Sequence, residues 1–364
     1  MTRRSVLPLC ALALLASACD RSPTDTSKPG TFTVAFIGVP AGAETFIPRA
    51  IADGRVVGAA SDGASTWAVE WQAGTFRRLL PAAPAGCHSE PLAARGAFTV
   101  GQVTCTASGD PAGRPVDAYG WAAGASTPRL FAEPYTFVGV NADGEIAGTV
   151  NPSTQFPQAQ HRAFRRTAAG VNVLMPDSAI ASEAAGITDA GQVVVTAWYA
   201  CPEDPEESED CVSSRVKVWT AGVWTEVRVP RGAARVVAGA VSPEGHVAVY
   251  AFGETDQVLL YDIQGRDLDA LPVIPGTRVV LMSANARGQV IGTGIRPETT
   301  GRQTSYGIVW GADRQYDLSE RLAGTTRWHI SSALASDDDG RIVGTGRSLE
   351  DGTEGPILLI PSTL

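Results

Sequence analysis

The chain has 364 residues, of which 44% are hydrophobic and only 18% charged, enough apolar side chain for a sizeable core and too much for general disorder. A net charge of −9, with Lys28 and Lys217 as the only lysines, argues against an electrostatic nucleic-acid binder. Thirty-nine Gly and 24 Pro favour many turns over long helices.

Residues 1–18 carry Arg3 and Arg4 followed by a short apolar run from Val6 to Ala16, too short to span a bilayer and suited to a cleaved export signal. The run ends Ala16-Ser17-Ala18-Cys19, which resembles a bacterial lipobox whose Cys is acylated, although Ala16 stands where Leu is usual. The same tripeptide also fits ordinary A-x-A cleavage. Cysteine parity favours the lipid. With Cys10 lost in the signal, Cys19, Cys87, Cys105, Cys201 and Cys211 remain, an odd number for an oxidising compartment. Acylation of Cys19 leaves Cys201 to pair with Cys211 across a compact loop, and Cys87 with Cys105 by elimination. Residues 19–30 then form an acylated Cys and a polar tether on a membrane, periplasmic or surface-exposed.

From residue 31 onward a turn-plus-strand unit recurs: IADGRVVG (51–58), ARGAFTVG (94–101, degraded), VNADGEIAG (140–148), ITDAGQVVV (187–195), VSPEGHVAV (241–249), ANARGQVIG (284–292) and SDDDGRIVG (336–344). Its turn glycines, from Gly54 to Gly340, recur about every 48 residues. Asp or Asn before Gly between apolar segments is a hairpin signal, and the β-branched run after it suits a strand buried on both faces. A second small residue closing that run (Gly58, Gly101, Gly148, Gly292, Gly344) marks a bulge or strand exit.

A second strand follows, typified by AVEW (68–71) and GIVW (307–310), with Trp71, Trp121, Trp219 and Trp310 expected to pack between sheets. A third is typified by TFRRLLP (75–81), and short segments such as TFVGV (136–140) supply a fourth. Four-stranded antiparallel sheets with two apolar faces bury both when set radially around an axis. The expectation is an all-β, seven-bladed β-propeller over residues 31–364. Repeat seven ends at ILLIP, while GTFTVAFIGVPAG (30–42) mirrors GTFRRLLPAAPAG (74–86). The N-terminal segment is read as an orphan strand of the fourth kind that completes the last blade and closes the ring.

HRAF (161–164), together with the recurrent pattern IN-x-x-GQVVG … AF-x-W, resembles the HAF-type extracellular repeat proteins of bacteria. The resemblance covers residues 31–364 and implies a secreted or surface β-propeller; it carries no catalytic residues across.

The connections at 102–117, 149–161, 196–215, 293–305 and 345–355 are long and variable, and variable loops on a rigid scaffold are the usual home of binding. The most distinctive is WYACPEDPEESEDC (198–211). Trp198, Tyr199, Glu203, Asp204, Glu206 and Glu207 are its candidate binding residues, Glu209 and Asp210 completing an acidic run. No EF-hand spacing accompanies these acids, and they read as solvated rather than metal-binding. His88, His161, His246 and His329 show no zinc-type spacing, and no nucleophile elbow or P-loop is present. No catalytic residue, metal or cofactor is assigned. The expected function is non-catalytic binding or scaffolding for a protein or glycan partner, with the bilayer as second partner and no nucleic acid. The rival is an envelope polysaccharide hydrolase or lyase acting at the channel mouth with acids from different blades.

Overall fold

A computed structural model describes residues 30–362 apart from 80–86, 106–114, 123–128, 132–134, 151–160, 201–211, 229–232, 234, 254–256, 265, 298–302, 311–313 and 325–326. Cys19, the tether, Cys201, Cys211, Glu203, Asp204, Glu206 and Glu207 lie outside the described residues.

The strands in chain order begin with β1 (Phe32–Phe36), then β2 (Thr45–Ala52), β3 (Arg55–Ser61), β4 (Thr66–Gln72) and β5 (Thr75–Arg78). Next come β6 (Cys87–Arg95), β7 (Phe98–Cys105), β8 (Pro115–Ala122) and β9 (Arg129–Phe131). The third group is β10 (Tyr135–Val140), β11 (Ile146–Val150), β12 (Arg162–Thr167) and β13 (Gly170–Leu174). The fourth is β14 (Ala181–Ile187), β15 (Val193–Ala200), β16 (Val212–Thr220) and β17 (Val223–Glu226). The fifth is β18 (Arg235–Val241), β19 (His246–Phe252), β20 (Gln257–Asp262) and β21 (Asp267–Leu271). The sixth is β22 (Arg278–Ala284), β23 (Val290–Pro297), β24 (Gln303–Trp310) and β25 (Gln315–Asp317). Last are β26 (Trp328–Ser336), β27 (Ile342–Ser348) and β28 (Glu354–Pro361).

Within each group neighbouring strands pair antiparallel in chain order. Hydrogen bonding gathers the described strands into six sheets, five of four strands and one of eight, where seven separate sheets were expected. The difference has one local cause. A single parallel bridge between Thr66 of β4 and His88 of β6 fuses β2–β5 with β6–β9.

β1 pairs antiparallel with β28, from Phe32 opposite Pro361 to Phe36 opposite Ile357, and is the outermost strand of the sheet β1-β28-β27-β26. This corrects the strand's assigned kind. β1 occupies the outer place that β5 holds in its own group, as the likeness of 30–42 to 74–86 implies, and not the inner place of the segments before each turn.

All seven turn glycines, from Gly54 to Gly340, adopt positive φ, the conformation for which the hairpins select glycine. The glycines that close the following run have a different cause. Each inner strand breaks register near its middle, as between Pro48 and Ala50 or Leu281 and Ser283, and β26 does so twice. Gly58, Gly148, Gly292 and Gly344 lie beside these bulges, where a Cβ would stand 2.0–2.4 Å from a carbonyl of the inner strand.

The core lies between sheets. Val194, Val218, Val247, Val249 and Tyr261 interlock the fourth and fifth groups. Ile51, Val56 and Val69 meet Val343 and Leu358, packing the first group against the last. Each fully buried Val or Leu contributes about 1.5–3 kcal/mol, so the sheets hold one another through their faces. Trp71 and Trp310 are buried in these seams, with the Trp310 indole donating to the Pro272 carbonyl at 2.9 Å. Trp219 is partly buried and lies under the Arg165 guanidinium, 5.3 Å from the ring centroid.

Candidate functional site: the axial cavity

The register breaks in the inner strands aim one residue of each toward the axis. Stretches of β2, β6, β10, β14, β18, β22 and β26 and the turns after them line a single cavity of about 360 Å³. Arg49, Leu92, Val138, Ala185, Gly239, Met282 and Leu334 stand at the bulges, so the collar is apolar except at Arg49. Arg49 is tied to Glu90 of the next inner strand at 3.0 Å.

The turn end of the cavity is polar. Arg95, at the end of β6, reaches Asp189 in the β14–β15 turn, Asp338 in the β26–β27 turn and Glu244 in the β18–β19 turn. Asp189 is held at 2.5 Å, Asp338 by a direct hydrogen bond, and Glu244 at the looser 3.8 Å. Burial opposes the charge on Arg95, but the hydrogen bonds it donates to Asp189 and Asp338 outweigh it and keep the guanidinium charged. Burial, and then the charge of Asp338, push the Glu244 carboxyl above its ordinary range.

Hydrogen bonds between turns continue this pattern around the axis. Asn141 and Asn285 each accept two backbone N–H groups of their own turn through Oδ1 and donate through Nδ2 to the next turn, at the Thr188 and Asp337 carbonyls. Asp337 accepts from Gly54 N at 3.1 Å, linking the last group to the first. The buried Arg55–Glu70 pair, 2.8 Å apart, extends to the Gly96 carbonyl and ties β3 to the β6–β7 turn. The Asp337–Asp339 run is thus partly structural. Asp337 is buried and paired with Arg341, and Asp338 with Arg95, while Asp339 stays exposed.

The opposite end carries the expected recognition loops, which join the second and third strands of each group counted from the axis. Trp198 is buried. Tyr199 is half-buried, with the Arg215 guanidinium 5.0 Å and the Lys217 ammonium 5.8 Å from its ring centroid. Both cations share Glu226, so this wall of the fourth group is a basic and aromatic strip. His161 Nδ1 meets Glu183 at the same end. His246 lies at the turn end, beside Ser242 at 3.2 Å. Among the described residues, no three His, Cys, Asp or Glu side chains form a metal-ligand group.

Sequence reasoning passed over Arg95. Its trace is a departure from pattern. The residue before the turn is Asn141, Thr188, Ser242, Asn285 or Asp337 in five repeats, each capping its own turn, and Arg95 alone is cationic.

No protein family's sequence profile and no curated protein matches the chain. Solved structures do. The β-propeller domain of the Trilobed protease from Pyrococcus furiosus superposes with a TM-score of 0.53 at 9% identity, over 86% of this chain and 94% of that one. Acylaminoacyl peptidase from Pyrococcus horikoshii gives 0.55 at 11% identity, over 93% of this chain and 52% of that one. The fold is a β-propeller. Prolyl oligopeptidase B from Galerina marginata gives 0.52 at 10% identity, over 84% and 48%. The chain therefore spans about half the length of the two peptidases, and at these identities the likeness concerns the propeller alone, with its four-stranded antiparallel blades.

Proposed function

We propose that this protein is an exported propeller, anchored through acylated Cys19, that binds a protein or glycan partner at its long-loop face and performs no catalysis. The observation that carries this is the commitment of the axial carboxylates. Asp189 and Asp338 are hydrogen-bonded to Arg95, and Asp337 to a backbone amide and Arg341, which leaves these acids engaged in structure. The long-loop end, with Tyr199, Arg215 and Lys217, is the variable surface of the rigid scaffold.

The eight-stranded sheet functions as two blades, which makes seven in a ring closed between β1 and β28. Support comes from the seven inner strands around one cavity, and from the single bridge that separates the two halves. A Cys87–Cys105 bridge belongs to the same proposal. The two residues stand opposite each other in register, and the Cys87 sulfur is engaged. The HAF-type resemblance agrees with an envelope location.

Replacing residues 201–211 by an Asn-Gly turn tests the loop face. Binding to immobilised envelope glycans and outer-membrane proteins is expected to fall while the melting temperature holds; unchanged binding counts against the assignment. Mass measurement of the mature N-terminus tests the acylation of Cys19. The rival, a polysaccharide hydrolase or lyase, draws on Glu244, whose carboxyl is pushed up by burial, the direction a general acid needs. Turnover of a glycan panel, abolished by Glu244→Gln, would replace the binding assignment with this one.

A further inference from the structure

A second cavity opens between two blades at the long-loop end. It has a volume of about 870 Å³ and lies among β18, β19, the start of β20, the segment 273–277 and the start of β22. This falls within the range of small-molecule sites, which are mostly apolar with a few convergent polar groups. Only residues 253–256 join β19 to β20, where residues 201–211 join the corresponding strands of the preceding blade.

The walls are apolar and aromatic. Tyr250 and Phe252 stack with ring centroids 5.9 Å apart, and Phe252 and Val280 are each 38% exposed. Several polar atoms of the wall are engaged, while the Gln257 amide stays exposed. The Tyr250 hydroxyl donates to the Val279 carbonyl at 3.1 Å and accepts from Leu281 N, which fixes the ring across the seam. Thr277 Oγ1 bonds the Tyr306 hydroxyl, and Ile274 N bonds Gln315.

Two guanidinium groups remain. Arg235 begins β18 and Arg278 begins β22, both exposed on the rim, and neither has an ion-pair partner among the described residues. Among the described residues they are the only charged side chains lining the cavity, in a protein of net charge −9. Two exposed arginines above an apolar trough match a carboxylate head on an apolar chain.

We infer that this groove binds a medium-chain fatty acid, its alkyl chain along Phe252 and Val280 and its carboxylate held by Arg235 and Arg278. The assignment is independent of the partner proposed for the loop face, because variants here leave residues 201–211 intact and the two can fail separately.

Calorimetric titration of the purified protein with decanoate, below its micellar concentration, tests the inference. Saturable one-to-one binding is expected. It should weaken at least tenfold in the Arg235→Gln/Arg278→Gln double variant, whose exposed positions leave the melting temperature unchanged, and also in Val280→Glu, which sets a negative charge in the trough. Decyltrimethylammonium, with the same chain and the opposite charge, should bind far more weakly. Absence of saturation, equal binding of the cation, or undiminished binding in the double variant would overturn the proposal. Displacement of decanoate by an apolar peptide with a free carboxyl terminus, at lower concentration than decanoate itself requires, would overturn the ligand class.

Discussion

Arg95 and Asp189 meet at the axis in a two-pronged pair, Nε donating to Oδ1 at 3.3 Å and Nη2 to Oδ2 at 2.5 Å. The geometry is the fork that carboxylates accept from arginine, and it joins inner strand β6 to the turn after β14. Asp338 shares the same guanidinium, so one side chain fastens three blades.

Arg95→Met should therefore cost about 1–3 kcal/mol in urea denaturation, the scale of hydrogen bonds to charged groups that are partly solvated. The loss should be greater above the carboxylate pKa range than below it, because Asp189, Asp338 and Glu244 then face one another without a cation. Arg95→Lys should recover only part of the loss, since an ammonium cannot make the fork. Equal stability of wild type and Arg95→Met at neutral pH would rule out the brace.

Gly344→Ala should destabilise by about 1–3 kcal/mol, a typical cost of overpacking. The new Cβ would stand 2.0 Å from the Ser332 carbonyl, where the inner strand bulges. Gly30→Ala, with open space around the position, should melt with the wild type and serves as the control.

Phe32→Ala removes a side chain that is 1% exposed and packed among Ile330, Ile357 and Leu359. A loss of about 3–5 kcal/mol is expected. Deleting residues 30–36 should uncover β28 as an unpaired edge and produce concentration-dependent association in sedimentation velocity. A truncated chain that stays monomeric with an unchanged melting temperature would show that β1 is dispensable.

Burial pushes His246 below the ordinary histidine range, against the pull of Asp262. The folded state thus favours the neutral ring. Stability from this source is whole above the ordinary pKa of about 6.5 and is lost as pH falls through the depressed folded value. Between about pH 7.5 and about pH 5, His246→Gln should lose less melting temperature than the wild type. Parallel curves would show that His246 plays no part in the acid response.

The repeat was legible because each blade restates the same local physics. A glycine at positive φ and a strand of buried apolar residues recur at fixed order, with a tryptophan in the seam of some repeats, and Gly54, Val56 and Trp71 occupy those places as read. The identity of β1 as an outer strand was also available in its likeness to 74–86, but the tally of strands per repeat obscured it. The joining of β2–β5 with β6–β9 into one sheet turns on one bridge between Thr66 and His88, a contact between repeats that no pattern within a repeat encodes. The axial cluster escaped for a related reason. Arg95, Asp189, Glu244 and Asp338 are up to 243 residues apart, and each looks like an ordinary turn residue until the ring brings them together.

The β1–β28 ladder also sets a timetable. Thr33 contacts Ile360 across 327 residues of chain, and Phe32 bridges Leu322, so every backbone partner recorded for β1 lies near the far end of the sequence. Such a distant pairing is entropically slow to form, because the intervening chain must be ordered before the contact repays it, and this makes the joining of β1 to β28 a late step of assembly.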